Sequence, residues 1–256
     1  MPVGATRQHR VSYEHIYDTI GIRDSQKFYR WIARLVPLQS NWRVLDIACG
    51  EGGLVAAMRN GNHPVECWGL DVAQAALAKA RVQNPQSPLI LGEAEQLPFT
   101  SASFDYVTCL GSLENFRDTQ QALREIYRVL KTDGTLCAMM PNKYWLGDIL
   151  DVALAGKTEA TPFQAVDRVA SCGQWKRLLE WYGFRVKRTY GYVKTTPLVS
   201  AGKLRSLRKF LITHLLAAIS PPSLAWSIVY VCDKRERLRT REHEPFVWRA
   251  EVMNDA

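Results

Sequence analysis

Two acids and a cluster of glycines mark where this chain could do chemistry. Asp46 closes an apolar run, and the turn after it reads Asp46-Ile47-Ala48-Cys49-Gly50-Glu51-Gly52-Gly53. A turn so poor in β-carbons lets backbone approach a ligand closely, which is how open parallel sheets seat nucleotides beyond their strand ends. Asp71 ends a second apolar run nineteen residues after Gly52. A carboxylate at that distance can accept both hydroxyls of a ribose, whereas an acid at a strand end standing alone would be read as an N-cap. A dinucleotide site would want G-x-G-x-x-G and helix-terminal amides facing a pyrophosphate. Asp46 and Glu51 would repel that group; an adenosine ligand carrying ammonium and sulfonium charge would be attracted.

The elements that must position these residues follow from alternation. Apolar runs of strand length at 43–49, 65–71, 89–92, 104–110 and 135–140 are separated by stretches with helical spacing. In the clearest of these, 119–131, Ala122, Ile126, Val129 and Leu130 share a face. Strands alternating with helices predict a parallel sheet covered on both sides. With 256 residues and 47% apolar composition, one substantial core is expected.

The spacing has a family counterpart. "DIACGEG" (46–52), with Ala48 at the first glycine position, resembles the first-strand motif of class I S-adenosylmethionine-dependent methyltransferases, in particular the group acting on quinones, lipids and natural products. "GEAEQLPF" (92–99), "FDYVTCLGSLENF" (104–116) and "LREIYRVLKTDGTL" (123–136) are similar to the segments around that family's strands three to five. The resemblance covers about residues 40–193, with a strand near 225–233 completing seven. It implies an α/β, doubly wound, Rossmann-like sheet of order 3-2-1-4-5-7-6, with an N-terminal helical lid and a helical insertion between strands 6 and 7. It implies one domain over 1–256: lid 1–40, cofactor core 41–193, basic amphipathic insertion 194–223, last strand 224–234 and charged tail 235–256. S-adenosyl-L-methionine is the implied cofactor, held by Asp46, Ala48, Gly50, Gly52, Asp71, Val72, Glu93, Ala94, Leu110 and Gly111, with Glu93 and Ala94 at the adenine. Alanine for glycine at position 48 is expected to be mild, because alanine tolerates most backbone conformations other than positive φ.

The acceptor side is less legible, because methyl transfer needs alignment more than a dedicated base. The candidates are His15 in the 12–21 segment, Glu114 after strand four and Tyr144 after strand five. The charge pattern adds a clue. Between Trp181 and Cys232 there is no acid, while Arg185, Lys187, Arg188, Lys194, Lys203, Arg205, Arg208 and Lys209 carry eight positive charges, as many as the formal excess of +8. Within it, 202–220 has amphipathic spacing, which fits peripheral contact of 203–219 with an anionic membrane, or equally a cap docked over the cleft.

Composition narrows the rest. Six scattered cysteines with no CxxC pair predict buried thiols and neither a disulfide framework nor a metal site. No secretory signal or bilayer-length apolar stretch is read, so a cytoplasmic protein, with contact to the inner face of the membrane, is expected. The function expected is methylation of a small molecule, on oxygen of a lipid-linked, sugar-containing or natural-product acceptor. An RNA methyltransferase and a non-catalytic cofactor-binding module remain the alternatives. Nucleic acid is disfavoured by "LGSLEN" after strand four, where amino-group base methyltransferases carry N/D-P-P-Y.

Overall fold

A computed structural model describes residues 25–147, 149, 168–193, 215 and 221–235. In chain order the elements are α1 (Gln26–Leu35), β1 (Arg43–Ile47), α2 (Gly53–Arg59), β2 (Glu66–Asp71), α3 (Gln74–Gln83), β3 (Leu89–Leu91), β4 (Phe104–Leu110), α4 (Thr119–Val129), β5 (Leu130–Pro141), α5 (Cys172–Trp181), β6 (Phe184–Tyr192) and β7 (Ser227–Lys234). Short 3-10 turns at Leu113–Asn115 and Pro222–Leu224 precede α4 and β7.

The strands form one sheet in the order β3-β2-β1-β4-β5-β7-β6. β1 to β5 run parallel, and β7 is antiparallel to both of its neighbours. This is the expected order. Alternate side chains of β1 enter opposite cores: Leu45 and Ile47 join α4 and α5, Val44 joins α1 and α2. Both faces are therefore dry, as a parallel sheet requires.

Helix α1 falls in the range 1–40. Ser25 caps it by accepting from the Phe28 amide, and Phe28, Ile32 and Leu35, four and three residues apart, sink into the sheet. The rest of the expected lid, 1–24, lies outside the described residues, as does most of the insertion; Leu215, helical and exposed, and residues 221–223 are described there. Asp118 caps α4 through the Gln121 amide, and Ala122, Leu123, Ile126 and Val129 form its buried face.

One boundary moved. β5 begins at Leu130, where residue 135 was expected, directly from α4. Leu130 pairs with Phe104 and Thr135 with Tyr106, so Lys131–Gly134 bulge out of register. A Cβ on Gly134 would come within 2.8 Å of Leu130 Cδ2 and 2.9 Å of the Lys131 carbonyl, so the bulge closes on a glycine. Five of the six cysteines are buried and all six are unpaired.

Candidate cofactor and acceptor site

The carboxyl ends of β3, β2, β1 and β4 lie side by side. Along that edge stand Asp46 near the end of β1, Asp71 at the end of β2, Glu93 and Ala94 just beyond β3, and Leu110 and Gly111 at the end of β4. Topology thus brings together all ten residues expected to hold the cofactor, Val72 following Asp71 and the turn 48–52 following β1.

The turn itself is held by the acid opposite. Asp71 is buried; its Oδ2 accepts from the Gly50 amide and its Oδ1 from the Ala73 amide, both at 2.8 Å. Asp71 therefore does two jobs, bracing the glycine turn of β1 and holding the Ala73 amide at the entry to α3. Gly50 and Gly52 adopt left-handed φ of +53° and +76°. A Cβ on Gly52 would lie 2.5 Å from Asn84 Nδ2 and 3.1 Å from Ala80 Cβ, so α3 packs against the turn only because position 52 is bare. Ala48 corrects an expectation. Its φ is +56°, the left-handed region where a β-carbon is strained, so alanine in place of glycine there is not mild.

Asp46 is the more unusual acid. It is buried beneath the turn, and Thr108 of β4, its register partner, donates to Asp46 Oδ1 at 2.6 Å. Burial pushes the Asp46 carboxyl up to about 7; the Thr108 bond opposes this and the nearby Asp71 charge adds to it. A third buried acid, Glu51, lies 3.5 Å from Lys79 Nζ. Three buried carboxyls beside a glycine turn suit a ligand of positive charge and would oppose a pyrophosphate, so these residues fit S-adenosylmethionine. At the adenine position, Glu93 accepts from Arg117 Nη2 at 2.8 Å.

A cleft of about 320 Å³ lined by Tyr29, Glu51, Ala56 and Gln83 sits among α1, α2 and the end of α3. It includes none of the residues expected to hold the cofactor, and the strand-edge geometry is the better guide to where the ligand sits.

On the acceptor side the structure separates the candidates. Glu114 is buried and Tyr144 is 49% exposed; His15 lies outside the described residues. Two residues not singled out from sequence organise the site, Thr108 under the cofactor turn and Arg168 on the acceptor side. Thr108 had a readable signal, a hydroxyl in the middle of an apolar strand. Arg168 had none: its guanidinium donates to the carbonyls of Glu114, Phe116 and Arg117 and to Thr119 Oγ1, stapling the loop after β4. Asn142, just past the end of β5, is a buried hub. Its Nδ2 donates to the carbonyls of Ala225 (2.8 Å), Ser223 (2.9 Å) and Tyr144 (3.2 Å).

A seven-stranded sheet of this order, with a glycine turn after β1 and acids closing β1 and β2, defines the class I methyltransferase fold. Comparison with known proteins makes it particular. Residues 45–138 match the family described as "Methyltransferase domain". Demethylmenaquinone methyltransferase of Listeria welshimeri is 34% identical over 134 residues, 50% of this chain and 57% of that protein. The methyltransferase solved with the Haloferax volcanii Trm112 activator superposes with a TM-score of 0.63 at 16% identity, covering 91% of this chain and 95% of that one. An S-adenosylmethionine-dependent methyltransferase of Thermotoga maritima superposes at 0.60 with 17% identity, over 91% and 99%. Residues 45–138 thus match a methyltransferase domain, and the fold is the one these solved methyltransferases share. It spans little more than half the length of the curated relatives it matches.

Proposed function

We propose that the chain, as one methyltransferase domain, methylates a lipid-linked small molecule with a quinol-type ring. The observation that carries the cofactor half is the pair of buried acids, Asp46 and Asp71, gathered around the Gly50–Gly52 turn. When bound, S-adenosylmethionine supplies a methyl group on a sulfonium, an electrophile that needs only an aligned nucleophile. In this reading Asp71 and Val72 face the ribose, Glu93 and Ala94 the adenine, the 46–52 turn the charged amino-acid end, and Leu110 and Gly111 the floor beneath it.

The acceptor half rests on the relatives named for demethylmenaquinone and on an aromatic, exposed Tyr144 at the same edge. Glu114 and Tyr144, with His15, are the groups proposed to receive or orient an acceptor hydroxyl, and oxygen is the proposed acceptor atom. Contact of 203–219 with an anionic membrane at its cytoplasmic face belongs to the same reading. Among the described residues no helix is long and apolar enough to cross a membrane.

Incubating the protein with methyl-labelled cofactor and a short-chain reduced quinone should give a singly methylated product. Hydrogen–deuterium exchange followed by mass spectrometry then reads the atom: methylation on oxygen removes one exchangeable hydrogen, and methylation on a ring carbon removes none. Label entering RNA and not the quinone would overturn the proposal.

A further inference from the structure

Glu93 stands next along the strand edge from Asp71. The Gly92 amide donates to the Asp71 carbonyl at 3.0 Å, so a base seated at Glu93 lies beside a ribose seated at Asp71. The backbone around Glu93 is pinned: the Gln96 amide donates to the Glu93 carbonyl at 3.2 Å, the Leu97 amide donates to Glu125 Oε2 at 2.8 Å, and Ala94 is buried. What that backbone leaves unfixed is the Glu93 carboxylate, at the end of a chain of rotatable bonds.

One oxygen of that carboxylate is held from the neighbouring loop. Arg117 Nη2 donates to Glu93 Oε2 at 2.8 Å, and among the described residues the carboxylate takes no other hydrogen bond. Arg117 is itself anchored through its backbone. Arg168 Nη2 donates to the Arg117 carbonyl at 3.0 Å, while the next residue, Asp118, caps α4 and donates its amide to Glu95 Oε1 at 3.3 Å. The loop after β4 therefore delivers a guanidinium to the loop after β3 from a fixed base. The two side chains are 30% and 25% exposed, and an ion pair so open to water adds little to stability. Its consequence is orientation, since fixing one carboxylate oxygen narrows where the other can be.

Adenine presents a donor at its 6-amino group and an acceptor at the adjoining ring nitrogen, which match a carboxylate oxygen of Glu93 and the backbone amide of Ala94. A 6-oxo purine reverses both and mismatches both. We propose that Arg117 is a positioning residue that holds the Glu93 carboxylate toward the 6-amino edge of the cofactor's adenine and so sets the preference for adenine over a 6-oxo purine. The inference rests on the reading of Glu93 and Ala94 as the adenine contacts and adds what aims one of them.

Calorimetric binding of S-adenosylhomocysteine and of its 6-oxo analogue, S-inosylhomocysteine, to the full chain tests this. The parent should prefer the adenine ligand. Arg117→Met keeps an unbranched stem and removes the donors. It should weaken S-adenosylhomocysteine roughly three- to tenfold, the cost of ordering a rotamer-rich carboxylate only on binding, and leave the 6-oxo analogue unchanged, so the preference narrows by the same factor. Its unfolding temperature should stay near the parent's, and Arg117→Lys, which can still donate to Glu93, should recover part of the preference. In Glu93→Ala, where no carboxylate is left to aim, adding Arg117→Met should narrow the preference no further. Equal preference in the parent and Arg117→Met would overturn the proposal. So would a parent with no preference, or a narrowing just as large in the Glu93→Ala background. A Glu93→Ala variant that keeps the parent's affinity and preference would instead remove Glu93 from the adenine, and no binding of S-adenosylhomocysteine by the parent would overturn the cofactor reading itself.

Discussion

At the scale of single residues, Asp46 concentrates the tension in this molecule. Its carboxyl sits near 7 in the fold against an ordinary value of 3.8, chiefly through burial. Below about pH 4 both folded and unfolded chains hold this proton. Between about pH 4 and 7 only the folded chain does, so stability is lost as pH rises through that window. Asp46→Asn keeps an acceptor for Thr108 and removes the titration. Without ligand the variant should be more stable than the parent at pH 8 by something on the order of 3 kcal/mol, with most of that difference gone at pH 4. Urea unfolding at both pH values reads this, and a pH-independent difference would contradict it. Ala48→Gly should stabilise by about 0.5–1 kcal/mol, because relief of left-handed strain exceeds the entropy that glycine adds to the unfolded chain. Asp71→Ala should weaken cofactor binding by a few kcal/mol in calorimetry, and should also lower the unfolding temperature through the freed Gly50 and Ala73 amides. Unchanged affinity would remove Asp71 from the site. The acids themselves were legible from their spacing. The φ of Ala48 was not, since a one-residue departure from a glycine motif does not say which conformation the backbone keeps.

At the scale of elements, β4 was read from sequence with both ends as found, because an unbroken apolar run bounded by polar residues leaves little choice. β5 was read late. Its first residues bulge around Gly134, and a bulge carries no period-two pattern for the eye to follow. The packing of α3 against the turn was equally hidden, since it depends on Asn84, whose Nδ2 donates to the Gly52 carbonyl at 3.1 Å from far along the chain. Gly52→Ala therefore meets two obstacles, a left-handed φ and a β-carbon 2.5 Å from that amide. It should cost about 2 kcal/mol or more in urea unfolding. A cost no larger than that of an exposed helix substitution would show that α3 does not bear on the turn as described. Arg168 belongs to this scale too: an arginine that spends its donors on loop carbonyls has no local sequence signature, because its partners lie about fifty residues away.

At the scale of the whole molecule, alternation of strands and helices made the parallel sheet legible, while its strand order and the ten residues expected at one edge came from the family resemblance. The acceptor was not, since methyl transfer asks the protein for shape and alignment and leaves few obligatory side chains to find. The fold is shared with proteins of 16–17% identity and does not choose among acceptors. Charge distribution is the global property that bears on a partner, through the acid-free stretch between Trp181 and Cys232. The central claim is narrower and more exposed to test: the turn between β1 and α2 holds a cationic adenosine cofactor. Thermal unfolding of the full chain with S-adenosylhomocysteine, beside an equal titration with NAD, reads it directly, because a ligand that binds only the folded state raises the unfolding temperature by mass action. A concentration-dependent rise with S-adenosylhomocysteine alone, diminished in Asp71→Ala, is the predicted result. A rise with NAD alone, or with neither, would contradict the account at its root.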